Sequence, residues 1–199
     1  MKPPFKPRDP RSAFSEANVI TVLRLLGSMT FFVLAVVRRD PFANFVGLGI
    51  HWLGDVLDGF CARKARQETI LGAEMDIIAD RVEVLFFYVN FIHFHPALSI
   101  AAAIYILDFA FVDFYLSYQF LKYDIISPNY FYKVDRTVYA WNYSPAGRFV
   151  NSTVVTLLLI FLPGLWPAAA LLALGLIGVK VYSICRLFRI GKVKEGMTP

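Results

Sequence analysis

Cysteine is nearly absent from this chain: two of its 199 residues, Cys61 and Cys185. Neither has the spacing of a metal-binding pair, and both fall near the inferred cytoplasmic ends of apolar runs. A disulfide-stapled fold and a thiolate zinc site are therefore excluded. No internal repeat or low-complexity tract interrupts the sequence, which leaves one domain, residues 1–199. Lys and Arg are missing from two connecting segments, His93 to Pro96 and Leu162 to Pro167. The excess is in apolar residues: 57% hydrophobic, 16% aromatic and a mean hydropathy of +0.55, against about 45–50% apolar for a soluble domain. Such a chain belongs in a bilayer.

Apolar stretches near the roughly 20 residues that a membrane helix needs run over 19–37, 41–62, 74–95, 97–121, 148–166 and 167–186. The expected fold is all-α: a polytopic membrane protein with six transmembrane helices. The net charge of +5 does not imply nucleic acid, because the basic residues mark topology. Lys2, Lys6, Arg8 and Arg11 precede the first span; Arg63, Lys64 and Arg66 follow the second; Lys122, Lys133, Arg136 and Arg148 follow the fourth; Arg186, Arg189, Lys192 and Lys194 follow the sixth. All fall on one side if both termini are cytoplasmic, as the positive-inside rule requires, and only Arg38 and Arg39 fall opposite. The expected location is the cytoplasmic membrane. The charged, proline-rich N-terminus does not read as a cleavable signal, and Asp9-Pro10 reads as a cap opening a short amphipathic surface helix over 9–17.

Several polar residues sit inside apolar runs. Asn18, Thr21 and Arg24 share one face of the first span; either Arg24 snorkels to the headgroups or this face lines a polar cavity. Asp108 and Asp113 in span four are functional candidates by default, unless Arg24, Arg81 or Lys180 pairs with them. The aromatics between Lys122 and Ala146 suit a membrane-interface belt. Ser144-Pro145 reads as a cap with a first-turn proline, and Leu162-Pro163-Gly164 as a helix break.

The most specific signal is a spacing: Asp55-x-x-Asp58-Gly59-x-x-Ala62-Arg63, eight residues to Gly72, then Asp76 and Asp80 four apart. Asp55 and Asp58 share a helix face at the end of span two, and Asp76 and Asp80 share one at the start of span three. Four converging carboxylates repel unless divalent cations lie between them. Oxygen ligands without His or Cys favour Mg²⁺ or Mn²⁺, with Ca²⁺ as competitor. Gly59 and Ala62 leave backbone open to a ligand, Gly72 does the same before span three, and Arg63 supplies a planar fork for phosphate oxygens. Metals, open backbone and arginine together suit a pyrophosphate-containing substrate.

This pattern resembles the signature of the CDP-alcohol phosphotransferases, with all eight fixed positions present. Ordinary residue frequencies make a chance match at a given start on the order of one in a billion. The resemblance implies a CDP-linked lipid donor, usually CDP-diacylglycerol, and a small polar alcohol whose hydroxyl attacks the lipid-bearing phosphorus as CMP departs. It implies Asp55, Asp58 and Asp76 as principal metal ligands for two Mg²⁺ ions, and Asp80 as general base close to a metal. Gly59 and Ala62 would admit the cytidine, Arg63 would hold donor phosphate, and Gly72 would shape the donor site. Membrane lipids and a second copy of the chain are the further implied partners; nucleic acid is not.

The acceptor is less marked. Glycerol-phosphate members usually carry proline after the third aspartate and lysine after the fourth, where this chain has Ile77 and Arg81; the arginine resembles inositol and inositol-phosphate members. Inositol or inositol phosphate is therefore expected, with glycerol 3-phosphate or serine as alternatives. Lys133, Arg136 and Arg148 are placed to hold a phosphorylated acceptor, although topology and anionic headgroups also explain them. Two rivals from other classes are a transporter, which would not need Gly59, Ala62 and Arg63 in step with the carboxylates, and a non-catalytic membrane scaffold, against which the intact motif argues.

Overall fold

The computed structural model describes residues 15–65 and 68–195, with side chains placed as far as Gly191. The expected 9–17 surface helix lies almost entirely outside the described residues. All described elements are helical. They cluster into two compact units that divide at Pro96.

The first unit is a bundle of α1 (Glu16–Arg38), α2 (Pro41–Ala65) and α3 (Ile70–Phe94), each packed on the other two. Ser15 caps α1 by accepting from the Asn18 N–H, and Thr69 caps α3 by accepting from Gly72. At one end Phe32, Phe87, Tyr88 and Phe91 form an aromatic core, with Phe87 and Phe91 stacked at 5.6 Å. Polar residues line the axis toward the other end. Asn90 donates to Asn44 and to the Phe32 carbonyl, so the buried amides are satisfied inside the bundle rather than left to cost free energy.

In the second unit, α4 (Pro96–Lys122) contains a π-helical stretch at Asp108–Asp113. A 3-10 turn at Pro128–Lys133 leads to α5 (Arg136–Tyr143), which Asp135 caps. α6 (Pro145–Phe161) follows at 42° to α5, and α7 is Trp166–Glu195. Ser144 caps α6 by accepting from Gly147, and Leu162 with Pro163–Leu165 ends it, as the sequence indicates. The Tyr105 hydroxyl lies 3.0 Å from both the Asn151 and Ser152 carbonyls, in the π-helical stretch Val150–Val154 of α6 where the ordinary ladder loosens. Lys180 of α7 meets Asp108 at 2.6 Å and Asp113 at 3.2 Å, so the intramembrane acids of α4 are paired, as one of the two readings held.

Among the described residues, three helices are long and apolar enough to cross a membrane, Glu16–Arg38, Pro96–Lys122 and Pro163–Gly191. The bent α5–α6 pair makes a fourth if it is one span. α2 and α3 fall short for a physical reason: they carry the acidic motif and its polar neighbours.

Candidate active site

The motif folds into a small volume of the first unit. α2 and α3 bring matching stripes together: His51, Asp55 and Asp58 on α2, and Asp76, Asp80 and Glu83 on α3. Both stripes step four residues and then three, the spacing that keeps side chains on one helical face. α1 lies against them with Asn18, Thr21, Arg24 and Ser28 buried on one side.

Arg24 stands at the centre, 3% exposed. Its Nη1 lies 3.5 Å from Asp55 and 3.4 Å from Asp58, its Nη2 3.3 Å from Asp76 and 2.9 Å from Asp80, and its Nε 3.2 Å from Glu83. Of the two readings of Arg24, the polar-cavity one holds, and snorkelling does not describe a guanidinium ringed by five carboxylates. Thr21 completes that face by donating to Asp58 at 2.8 Å. Below the motif, fully buried Glu83 accepts from the Ser28 hydroxyl at 2.5 Å and lies 2.9 Å from His51 Nδ1. Arg81 flanks the site, 3.6 Å from the second oxygen of Asp80.

Three of the four motif aspartates, Asp55, Asp76 and Asp80, offer carboxylate oxygens that all lie within 4.8 Å of one another. Asp55 and Asp76 are accessible, with side chains 49% and 38% exposed. Asp58 is nearly buried and turned to Thr21 and Arg24, joined to the group through the guanidinium. Five carboxylates surround one arginine, so the cluster keeps an excess of negative charge with accessible oxygen donors. That donor set fits a hard divalent cation.

The remaining motif residues lie along the same helices. Arg63 is exposed and its guanidinium lies back over Gly59, where an added Cβ would come within 3.0 Å of it. Ala62 is half-buried beside it. Gly72 sits in the first turn of α3, its N–H donated to Thr69. The second unit holds Lys133, Arg136 and Arg148, all exposed; Lys133 lies over the Tyr130 ring at 4.6 Å. A cavity of about 250 Å³ in that unit is lined by Asp135, Tyr182, Cys185, Arg186, Arg189 and Ile190. Its arginines had only a topological reading in the sequence.

His51, Ser28 and Glu83 escaped the sequence reading. The signal was present: extending each aspartate pair one turn deeper lands on His51 and on Glu83.

The family model for CDP-alcohol phosphatidyltransferase matches residues 14–181. The chain is also similar to a CDP-diacylglycerol–glycerol-3-phosphate 3-phosphatidyltransferase of Cereibacter sphaeroides, 36% identical over 75 residues, which make up 36% of this chain and 34% of that protein. The match thus spans about a third of the relative's length. No solved structure matches. With its eight motif residues set on two facing helices and a family match running over most of its length, this chain belongs to the CDP-alcohol phosphatidyltransferase family.

Proposed function

We propose that this integral membrane protein transfers a phosphatidyl group from CDP-diacylglycerol to the hydroxyl of a small polar alcohol, releasing CMP. The observation that carries the proposal is the gathered, accessible oxygen set of Asp55, Asp76 and Asp80 beside Arg24 and Asp58. When bound, divalent cations, here proposed as two Mg²⁺, neutralise phosphate charge and polarise the reacting oxygens. Asp55 and Asp76, with Asp58 behind them, are the residues that would hold them. Asp80 takes the proton of the acceptor hydroxyl as its oxygen bonds to the lipid-bearing phosphorus, and the bond from that phosphorus to the CMP oxygen breaks. A carboxylate is a weak base, so Asp80 acts chiefly through proximity to the acceptor hydroxyl. Arg63 binds donor phosphate, Gly59 and Ala62 leave room for the cytidine, and Gly72 shapes the start of α3.

Glycerol 3-phosphate is the leading acceptor, supported by the name of the Cereibacter relative. Inositol or inositol phosphate is the second reading, favoured by Arg81 after the last aspartate and unsupported by the comparisons. For a phosphorylated acceptor, which needs cations, Lys133, Arg136 and Arg148 are the proposed residues. Six spans, cytoplasmic termini and motif, and a homodimer complete the proposal; the basic residues flanking the spans, all but Arg38 and Arg39 on one side in that topology, support the orientation. Purified protein given CDP-diacylglycerol and Mg²⁺ should release CMP with glycerol 3-phosphate in preference to inositol, inositol phosphate or serine. No release with any of them would sink the enzymatic reading.

A further inference from the structure

Arg24 is not part of the eight-residue motif, yet it touches every carboxylate in it. Its two terminal nitrogens divide the work by helix: Nη1 faces Asp55 and Asp58 on α2, and Nη2 faces Asp76 and Asp80 on α3. Nε lies 3.2 Å from Glu83 as an ion pair without hydrogen-bond geometry, and Ser28 and His51 fix Glu83 in turn. The position is built for this side chain. Its aliphatic stem lies across Gly54, where a Cβ would collide with Arg24 Cβ, Cγ and Cδ. A planar fork with five donors and a permanent charge can bridge two facing carboxylate pairs, which a lysine ammonium cannot do to the same extent.

Charge balance says why a cation is needed there. Asp55, Asp58, Asp76 and Asp80 converge from two helices, and without a positive charge between them their repulsion would drive α2 and α3 apart. We propose that Arg24 is the resident counter-cation of the site, a positioning residue that holds the α2 and α3 carboxylate pairs together while no divalent cation is bound, with Glu83 anchoring the guanidinium. The proposal rests on the metal-site reading above. It assigns to α1 a functional side chain, and to Gly54 the duty of leaving room for it.

The test is thermal unfolding of the full chain in detergent, in chelator and in saturating Mg²⁺, for wild type, Arg24→Met and Arg24→Lys. Arg24→Met fills similar space without charge. In chelator it should unfold at least about 5 °C below wild type, and Mg²⁺ should close most of that gap. Arg24→Lys keeps the charge without the fork and should lie between the two in chelator. An equal deficit with and without Mg²⁺, or failure to fold in both, would show that Arg24 only packs and overturns the proposal. So would an Arg24→Lys no better than Arg24→Met in chelator, or no deficit at all. A wild type whose unfolding temperature ignores divalent cations contradicts the metal-site reading itself; the chelator comparison bears on Arg24 alone.

Discussion

Lys180 offers a severe and specific perturbation. It is fully buried, as is Asp108, and a single ammonium serves two carboxylates, at 2.6 Å to Asp108 and 3.2 Å to Asp113. Replacing it with methionine keeps the stem volume and deprives both acids of their cation inside α4 and α7. Breaking a buried ion pair from one side costs about 3–5 kcal/mol, and the loss of one cation by two acids places this case at the upper end, about 5 kcal/mol. For a chain of this size that corresponds to roughly 10–20 °C in unfolding temperature. The converse change is milder. Asp108→Asn leaves Lys180 facing Asp113, a balanced pair, and forfeits one charged hydrogen bond, about 1.5–3 kcal/mol. Asp113→Asn should cost less still, because its contact is longer and its side chain is 12% exposed. Tryptophan fluorescence during thermal unfolding in detergent reads all three. If Lys180→Met is no worse than Asp108→Asn, the two-acids-to-one-base reasoning fails.

Two further outcomes follow from local geometry. A Cβ on Gly72 would stand 2.7 Å from Asn18 Oδ1 and 3.0 Å from the Thr69 hydroxyl that caps α3, so Gly72→Ala should destabilise by about 1–3 kcal/mol, and a neutral result in the same unfolding assay would discard this packing argument. Asp135 should shape the acid limb of the stability curve. Burial pushes its carboxyl up, but the Val138 and Thr137 N–H groups and the Arg186 guanidinium outweigh this and hold it below the usual carboxylate range. A depressed carboxyl contributes stability that is complete above its unfolded value near 3.9 and lost as pH falls through the lower folded value. Asp135→Asn should therefore lower the unfolding temperature at pH 6 and lose less than wild type below about pH 4. Parallel curves would remove Asp135 from the account.

Much of the first unit was legible because its chemistry repeats at helical spacing. Asp55 and Asp58, then Asp76 and Asp80, fix the facing sides of α2 and α3 from sequence alone. Ser144-Pro145 and Leu162-Pro163 mark helix ends through the capping chemistry that the structure uses. The role of Arg24 stayed open because an arginine in an apolar helix satisfies two physical descriptions, and only the neighbouring helices choose between them. His51 and Glu83 continue each aspartate stripe at helical spacing, but a lone polar residue one turn beyond a motif gains a meaning only when its partner is seen across the gap. The π-helical stretches of α4, α5 and α6 left no mark in the sequence pattern. Polar motif residues likewise weaken the spanning signal of α2 and α3, where the sequence count of spans and the structural one part.

Phosphatidyl transfer at the motif carboxylates is the proposal on which the roles assigned to Asp55, Asp58, Asp76 and Asp80 depend. It is tested most directly by CMP release from CDP-diacylglycerol in the presence of Mg²⁺ and glycerol 3-phosphate, comparing wild type with Asp80→Asn and measuring CDP-lipid binding in parallel. Wild type should show acceptor-dependent release and Asp80→Asn none above background, with CDP-lipid binding largely kept. Near-normal turnover by Asp80→Asn would contradict it.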